Sequence, residues 1–507
     1  MTGPADPTGR RRRPRSPADS NHPALVAGRE RRATVHQIRG RWAAVFAAVG
    51  TVAVVALIAS AWPPAPSAPV AGLDDGVPVP PAGAFSTSAF CPSSTGTAAA
   101  GTIYLTNSTS RSVTGVMTAI GLATPSGSVP TVRRTVSVPP LGSTAIDPAT
   151  GLPAGDNAAS FVFDGGGVVA NRVVSGPGGW STAPCASQLS PQWSFAGGST
   201  TAGNAVSIAL LNPSSTEAVV NISFLTGQGM VTPQSYQGLV VPAGQLVVEN
   251  VGDFVEGAAA IGTFVVAQSG TLVATEFQLW SSGPAGGLSL QLGAPALSTT
   301  WQFAQTTVEP SSTVDFTLAN PNSAAVTATV SLGLPSGSVV PRHVVVPPES
   351  TAVFSASGSG LPEQVPYSVT VGSTAPIVVG RAVQAPAGAS PPVWGSSAGT
   401  VTVATHWLVP GPGVPGAPGT AGATVASLAL ANRGPTAARV TVTTLGPDRT
   451  VAVVTVAADR IVVLGPKVVG GLSVFEVSAS QPIAVEEDSG PTGAPGVVSS
   501  TGFPFAA

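Results

Sequence analysis

The sequence predicts an all-β protein, with four tandem antiparallel immunoglobulin-like β-sandwich repeats after one N-terminal transmembrane helix. Three observations lead to this prediction. A short motif recurs at intervals of 105, 108 and 112 residues, apolar residues alternate with other residues on both sides of it, and an uncharged apolar stretch follows a basic N-terminal tail. Alternation at every second position is typical of strands with one face in a core. Apolar residues make up 43% of the chain and charged residues only 9%, which excludes a charge-rich disordered chain and a coiled coil.

The first element is a basic tail, residues 1–41, which we expect to be disordered in the cytoplasm. It carries ten Arg and three acidic residues, a net charge of +7, whereas the rest of the chain has 11 basic and 20 acidic residues, a net charge of −9. Such a tail is usually a topology signal. A separate contact with nucleic acid or anionic lipid is the alternative for the tail, and the negative charge of the rest disfavours nucleic-acid binding there.

The second element is an apolar segment, residues 42–62, bounded by Trp42 and Trp62. Its nineteen interior residues are uncharged and would span about 28 Å as a helix. Trp at both ends matches the interfacial aromatic belt, and the Arg excess before the segment places the N-terminus in the cytoplasm. We therefore expect a single-pass signal anchor in the cell membrane with an extracytoplasmic C-terminal region. Cleavage near Ala61, which would give a secreted protein, is the alternative.

Cys91 and Cys185 are the only cysteines of the chain and lie 94 positions apart. Two thiols on the oxidising side of a membrane most simply form one disulfide bond. A metal site is disfavoured because it needs about four ligands and no His lies between the two cysteines. A pair of free, reactive thiols is the remaining alternative.

The clearest marker of the repeat is a strand ending in Leu-x-Asn. The four marker residues are Asn107, Asn212, Asn320 and Asn432. Apolar residues at every second position before and after each Asn predict a β-hairpin with one face in a core and the Asn in its turn. In the second and third repeats Pro follows the Asn, and this dipeptide favours a turn because the Asn side chain folds back on its own backbone while Pro presets φ.

The third repeat shows the strand count best, with seven short alternating strands in about 100 residues, which predicts an antiparallel two-sheet sandwich. In the third repeat the last two strands are expected at residues 367–371 and 377–383. A Trp opens each of the last three repeats. A Pro/Ala/Gly-rich spacer at 63–84 precedes sandwiches at 85–188, 189–298, 299–399 and 400–507. Whether the sandwiches form an extended rod or a compact cluster stays open at this point.

Few residues offer chemistry beyond the membrane segment. His343 and His406 are the only histidines there, and neither lies beside a nucleophile-elbow pattern, so we assign both structural roles. The densest acidic cluster is Glu486-Glu487-Asp488, which lacks the spacing of a dedicated calcium loop. Its carboxylates could serve a glycosidase. We interpret Glu486 instead as a solvated edge charge, because it lies on the final strand of its repeat.

A charged residue recurs at one position of that final strand in the first three repeats. The residues are Arg172, Glu276 and Arg381, which follow Asn171, Thr275 and Gly380. Either they form contacts between domains or they mark the solvent face of the strand. The sequence favours the solvent face.

The opening Trp, the Leu-x-Asn-Pro turn, a Val-Pro-Pro run and a closing apolar strand that ends in a charge resemble an uncharacterised family. Its members are single-pass envelope proteins with tandem β-sandwich repeats from high-GC Gram-positive bacteria. The resemblance covers residues 85–507 and the anchor. It implies a cell-surface or periplasm-like location and supplies no catalytic residue to carry over.

These observations predict a membrane-anchored extracytoplasmic structural or interaction protein of the cell envelope, one that is not an enzyme. Its repeats would be presented to cell-wall glycan or to envelope proteins, with no cofactor. Two alternatives belong to other classes. One is an envelope carbohydrate hydrolase that uses the acidic residues Glu486 or Glu487, and the other is an accessory subunit of a membrane-bound envelope biosynthetic enzyme.

Overall fold

The computed structural model describes residues 77–505 except for the gaps 177–178, 281–285, 308–311, 338, 358–360, 362–363, 385–393, 411–423, 447–449, 470–473 and 492–497. The predicted tail, the membrane segment with Trp42 and Trp62, and most of the spacer lie outside these residues. Within them, no helix is long and apolar enough to cross a membrane. The described chain is nearly all β, with several antiparallel sheets, which confirms the predicted class.

The strands fall into four groups along the chain. The first group contains β1 (Thr87–Ser93), β2 (Ala100–Asn107), β3 (Val113–Gly121), β4 (Thr131–Val138), β5 (Gly142–Ile146), β6 (Asn157–Phe163), β7 (Val168–Gly176) and β8 (Gly179–Pro184). The second group contains β9 (Gln192–Gly198), β10 (Asn204–Asn212), β11 (Ala218–Thr226), β12 (Gly229–Val231), β13 (Gln237–Val241), β14 (Gln245–Asn250), β15 (Ile261–Ser269), β16 (Val273–Trp280) and β17 (Gly287–Leu292).

The third group contains β18 (Ser298–Thr307), β19 (Thr313–Asn320), β20 (Val326–Gly333), β21 (Arg342–Val346), β22 (Ser350–Ser355), β23 (Pro366–Gln384) and β24 (Trp394–Ala398). The fourth group contains β25 (Ala404–Pro410), β26 (Thr424–Asn432), β27 (Ala438–Thr444), β28 (Thr450–Val456), β29 (Arg460–Leu464), a short helix α1 (Pro466–Val469), β30 (Val474–Pro491), β31 (Val498–Thr501) and β32 (Phe503–Pro504). Two 3-10 turns, Gln234–Tyr236 and Val251–Asp253, flank β13 and β14.

The strand-pairing order recurs from group to group. The first group has the sheets β1-β6-β3-β4 and β5-β2-β7-β8, and the second has β9-β15-β11-β13 and β14-β10-β16-β17. The third has β18-β23-β20-β21 and β22-β19-β23-β24, and the fourth has β25-β30-β27-β28 and β29-β26-β30-β31. β23 and β30 therefore each belong to both sheets of their group. The two strands predicted at 367–371 and 377–383 are parts of β23, because the backbone stays extended where it passes between the sheets.

The segment around each marker Asn does not form the predicted β-hairpin. β2 pairs with β5 and β7, whereas β3 pairs with β4 and β6, and the equivalent strands of the other groups behave in the same way. The turn therefore carries the chain from one sheet to the other. Alternation could not distinguish the two arrangements, since in both of them one face of each strand meets the same core.

The groups pack on one another through apolar sheet faces. Leu211 on β10 packs with Ile120 and Ala158 of the first group. At the junction of the third and fourth groups, Ala431 on β26 packs with Ala304. In each case the outer face of the sheet that contains the Leu-x-Asn strand covers part of the preceding group. The residue between Leu and Asn therefore faces a neighbour, while the Leu faces its own core.

The first and fourth groups also touch, which closes the described chain into a compact ring. The Val79 N–H donates to the Pro504 carbonyl at 2.7 Å, and Val169, Leu408 and Phe503 share an apolar cluster with Val79. The arrangement left open by the sequence is thus a cluster rather than a rod. Residues 77–84, predicted as the end of the spacer, belong to this folded part because Val79 is buried there.

Candidate functional site

Each marker Asn is completely buried at its sheet-to-sheet turn. The side-chain amide of Asn320 donates to the carbonyls of Ala324 at 2.9 Å, Val346 at 3.2 Å and Pro347 at 2.9 Å, and its Oδ1 accepts from the Asn322 N–H at 3.0 Å. Asn107 and Asn432 make all four equivalent bonds, and Asn212 makes three of them, without a bond to the equivalent of Pro347. These residues satisfy buried backbone groups of the turn and of the strand facing it, which is a structural role.

Cys91 and Cys185 form the predicted disulfide bond, with Cα atoms 4.7 Å apart. Cys91 lies on β1, the first strand of its group, and Cys185 directly follows β8, the last one. The bond therefore connects the two ends of the first group. Both sulfur-bearing residues are buried, at 2% exposure each.

The second and third groups place other residues where the first has the disulfide. The equivalence follows from backbone pairs that bond in both directions: Phe90 with Ala186, Ser194 with Ala294, and Gln302 with Thr400. Cys91 and Cys185 adjoin the first pair. At the corresponding places the second group has Phe195 and Gly293, and the third has Phe303 and Gly399. The Phe ring occupies the space that a side chain at the Gly would need.

The recurring charged residues are buried, so the favoured solvent-face interpretation is wrong. Arg172, Glu276 and Arg381 are 1%, 1% and 2% exposed, and Glu487 holds the same strand position in the fourth group at 3%. The register explains why. These four residues lie directly opposite apolar core residues on the neighbouring strand, namely Ile103, Ile208, Phe316 and Leu428. Cross-strand partners share a face, so all four side chains start from the core face of their sheet.

Arg172 and Glu276 are held within their own groups. The Arg172 guanidinium donates to the Cys91 carbonyl at 2.8 Å and to Asn157 Oδ1 at 2.7 Å, and burial lowers the pKa of Arg172 to about 10. Glu276 accepts one hydrogen bond from the Thr263 hydroxyl at 3.3 Å. Burial raises the pKa of Glu276 to about 7, and burial also raises that of Glu487 well above its usual range.

Arg381 and Glu486 form a buried ion pair between the third and fourth groups. Glu486 also accepts from the Ala304 N–H at 2.7 Å, and Arg381 lies over the Phe303 ring at 5.4 Å from its centroid. Burial alone would lower the pKa of Arg381, but the charges of Glu486 and Asp488 and the hydrogen bond to Glu486 together outweigh it and raise the pKa. The solvated edge charge expected at Glu486 is therefore wrong. The neighbouring group supplies the cation that permits its burial.

In the second, third and fourth groups, the residue before the buried charge makes a junction with the preceding group. The Thr275 hydroxyl donates to the Pro92 carbonyl at 3.3 Å. Gly380 lies against Ala196 so closely that a Cβ would stand 1.9 Å from the Ala196 carbonyl oxygen. Glu486 holds this position in the fourth group. The same type of junction is thus made by the hydroxyl of Thr275, by the backbone of Gly380 and by the carboxylate of Glu486.

A small cavity lies where the last strands of the four groups converge. Its volume is about 60 Å³, room for roughly two waters. Ligand pockets are typically about 300 to 1,000 Å³, so this cavity is too small for a substrate or cofactor. The polar side chains that line it are uncharged, and they belong to Thr182, Gln291, Ser396, Ser397, Thr400, Ser500 and Thr501.

The two histidines lie apart and on the surface. His343 contacts the Thr329 hydroxyl at 3.1 Å, and His406 contacts the Thr405 hydroxyl at 3.1 Å. In the part of the chain that the structure describes, no group of His, Cys, Asp or Glu residues could hold a metal ion.

Sequence reasoning missed the junction role of Gly380 and Glu486. Their recurrence at one strand position was the signal, but it did not reveal which neighbour covers that face.

A family model described as a family of unknown function (DUF5719) matches residues 173–404. This match is consistent with the resemblance to an uncharacterised family. A search of curated proteins finds no match.

Among solved structures, Thermotoga maritima 1070 is 15% identical, with 20% of this chain and 92% of that one covered and a TM-score of 0.19. The Anabaena sensory rhodopsin transducer is 21% identical, with 16% and 90% covered and a TM-score of 0.15. A tetra-tandem repeat in the extending region of a large adhesion protein is 14% identical, with 78% and 93% covered and a TM-score of 0.11.

Proposed function

We propose that this chain is a membrane-anchored, extracytoplasmic scaffold of the cell envelope, built from four tandem immunoglobulin-like sandwich repeats. It presents its outer surfaces to cell-wall glycan or to envelope proteins and is not an enzyme. The observation that carries the proposal is how the recurring polar residues are used. Arg172, Glu276, Arg381 and Glu486 are buried and engaged with neighbouring strands or groups. The side chains best suited to chemistry are therefore engaged in internal contacts, Arg172 and Glu276 within their groups and Arg381 with Glu486 between two groups.

Two features support the location. A buried disulfide is typical of proteins outside the reducing cytoplasm. The uncharged segment between Trp42 and Trp62 follows ten Arg residues, the pattern of an anchor with its N-terminus inside. The intact mass of the protein from membrane and medium fractions tests this topology. A membrane species that retains its first residues is expected, whereas a medium species beginning near Trp62 would make the protein secreted.

A capture experiment tests the interaction role. The full-length protein in detergent is cross-linked to an envelope extract, beside a variant with Asn221→Lys and Gln268→Glu. These two side chains are hydrogen-bonded to each other on the exposed face of the second group, and the pair of changes keeps the net charge. Envelope components recovered by the wild type and reduced in the variant support that face as an interaction surface. Recovery no greater than that of bare resin would overturn the scaffold function.

The alternative hydrolase needs Glu486 or Glu487 to reach a glycan. Both are buried, and Glu486 is occupied by Arg381 and by the Ala304 backbone. A direct test compares wall-glycan hydrolysis by the wild type and by variants with Glu486→Gln or Glu487→Gln. Activity in the wild type that disappears in a folded variant would establish the enzyme and overturn the scaffold.

A further inference from the structure

The chain enters the described fold through a short strap between the first and fourth groups. The strap is residues 77–81, with the sequence Val-Pro-Val-Pro-Pro. Its central residue, Val79, is 2% exposed. The side chain shares an apolar cluster with Val169 of the first group and with Leu408 and Phe503 of the fourth. The strap therefore fills a site that both groups form, and we call Gly166, Val169, Leu408 and Phe503 the strap site.

The backbone of the strap bonds to both groups. The Val79 N–H donates to the Pro504 carbonyl of the fourth group at 2.7 Å. The Pro80 carbonyl accepts from the Gly167 N–H of the first group at 2.9 Å. Three of the five strap residues are Pro, so the strap has only two N–H groups and cannot extend the ladder of a sheet. Pro also biases each preceding Val towards an extended backbone, and a segment restricted in this way loses little freedom when it docks.

Gly166 makes room for the strap. It lies in the turn between β6 and β7, and a Cβ there would stand 1.7 Å from the Pro81 carbonyl oxygen. Gly83, which follows the strap, has nothing within 4 Å of an added Cβ. Neither glycine has a positive φ, so Ala can adopt both backbone conformations. Only the Ala at 166 would exclude the strap.

The strap completes a junction that the repeat leaves incomplete. Thr275, Gly380 and Glu486 each contact the preceding group. Asn171 holds this position in the first group, and its buried Oδ1 accepts no hydrogen bond from the described residues. The chain also runs from each group to the next but not from the fourth back to the first. The strap can therefore leave its site without pulling on a connection between groups.

We propose that the strap site accepts the strap of a second copy of this chain, so that copies join by exchanging straps. The chemistry of the occupant is that of the segment already seated there, an extended Val-Pro sequence with one bonded N–H and one bonded carbonyl. The strap of the same copy competes at a high effective concentration because it is tethered beside the site. Exchange therefore requires concentrated protein or a displaced strap. It goes beyond the proposed function, since it needs neither the anchor nor an envelope partner.

A peptide tests the strap site. A fluorescent peptide of residues 75–84 is titrated into full-length protein in detergent, and its anisotropy gives the Kd. Val79→Asp in the protein displaces its own strap, because a lone carboxylate is not tolerated in an apolar cluster. Ala82→Asp, at an exposed residue beside the strap, is the matched control. We expect the Val79→Asp protein to bind the peptide about tenfold more tightly than the wild type or the control.

The same titration tests the fit at Gly166. Adding Gly166→Ala to the Val79→Asp protein should abolish peptide binding, whereas adding Gly83→Ala should leave it unchanged. Cooperative unfolding in urea, as in the wild type, shows that each variant is folded. If Val79→Asp does not fold, deletion of residues 77–81 takes its place.

Two complementary variants test the exchange between copies. The Val79→Asp protein keeps an open site but has no usable strap, whereas the Gly166→Ala protein keeps its strap but has a blocked site. The two full-length proteins carry different tags, are mixed in detergent and are purified through one tag. We expect this pair to co-purify about tenfold more than two wild-type proteins. Neither variant mixed with itself should exceed the wild type.

The outcomes separate the strap site from the exchange. A folded Val79→Asp or strap-deleted protein that binds the peptide no more tightly than the wild type would overturn the strap site as a binding site. Peptide binding without co-purification of the complementary pair would overturn exchange between copies. Co-purification that is equally strong between two Gly166→Ala proteins would contradict it as well, since both sites are then blocked.

Discussion

The first group and the two that follow it solve the same packing problem with different chemistry. Where the first joins its terminal strands by the Cys91–Cys185 disulfide, the second packs Phe195 over Gly293 and the third packs Phe303 over Gly399. The first group also lacks the buried Trp that precedes these Phe residues and has Ala89 there. A covalent bond thus replaces a pair of aromatic rings. The difference teaches that this position needs a firm link between the ends of a group, however that link is made.

The aromatic version of the link is tested by Phe303→Ala. Phe303 is buried, meets Phe316 edge to face at 5.0 Å and lies below Arg381. Truncation should lower the free energy of unfolding by about 4 kcal/mol, because it removes a large buried side chain and leaves a cavity. Urea denaturation of the full-length protein measures the change. Val345→Ala, at a residue 62% exposed on β21, is the control and should change stability by less than about 0.5 kcal/mol.

The covalent version is tested by Cys91→Ala with Cys185→Ala. Loss of a disulfide that closes a 94-residue separation should cost about 3 kcal/mol, mainly by releasing the unfolded chain. Replacing the same pair by Cys91→Phe with Cys185→Gly transfers the solution of the second group and should recover part of that loss. A transferred pair no more stable than the double Ala variant would show that the two solutions are not interchangeable.

The first and second groups should differ in how their stability depends on pH, because they bury different charged residues at the same strand position. Glu276 of the second group has a pKa raised to about 7 by burial, whereas the first group has Arg172 at that position. Between about pH 4.5 and 7 Glu276 is protonated in the folded protein and ionised in the unfolded one. Its contribution to stability is therefore fully present below about pH 4.5 and is lost as the pH rises through 7. The loss should be about 3 kcal/mol by linkage.

Glu276→Gln should remove this part of the pH dependence, because the amide cannot ionise. Denaturation midpoints of the wild type and the variant from pH 4 to 8 measure it. Thr263 donates to Glu276, and Gln291 is its cross-strand partner, so neither of these neighbours titrates in this range. Parallel pH profiles for the two proteins would contradict the assignment.

The smallest effect is expected where the glycine meets the Phe ring. A Cβ at Gly399 would stand 2.8 Å from Phe303 Cζ, so Gly399→Ala should force the ring to shift and cost about 1 to 2 kcal/mol. Gly372→Ala on β23 is the matched control, since nothing lies within 4 Å of its added Cβ. We expect it to be neutral or slightly stabilising. Equal losses in both variants would point to backbone effects rather than to contact with the ring.

The sequence was sufficient to predict features that depend on the alternation of apolar residues, on the number of cysteines and on the recurrence of a motif. It predicted the β class, the Cys91–Cys185 bond and the importance of Asn320 and its equivalents. The partner of each strand could not be predicted, because the residues around Asn320 alternate identically whether the next strand pairs with its own strand or crosses to the other sheet. Pairing was set by contacts with strands more than twenty residues away.

The candidate site was predicted less well, since burial at the junctions comes from other groups. Arg381 follows Gly380 on the last long strand of its group. This local sequence favours a solvent-exposed position at the edge of a sheet. Only the fold brings Glu486, 105 residues away, next to its guanidinium. The bond from Val79 to Pro504 spans an even larger separation. No local pattern contains such information.

Because the ring is closed, the chain could begin and end at a different junction and still form the same contacts between groups. Because Val79 bonds to Pro504 and lies opposite Phe505, residues from the two ends of the described chain already stand side by side. A short peptide could join them, and new ends could then be opened in a connection between two other groups. Such a circularly permuted protein should keep the same neighbours at every junction.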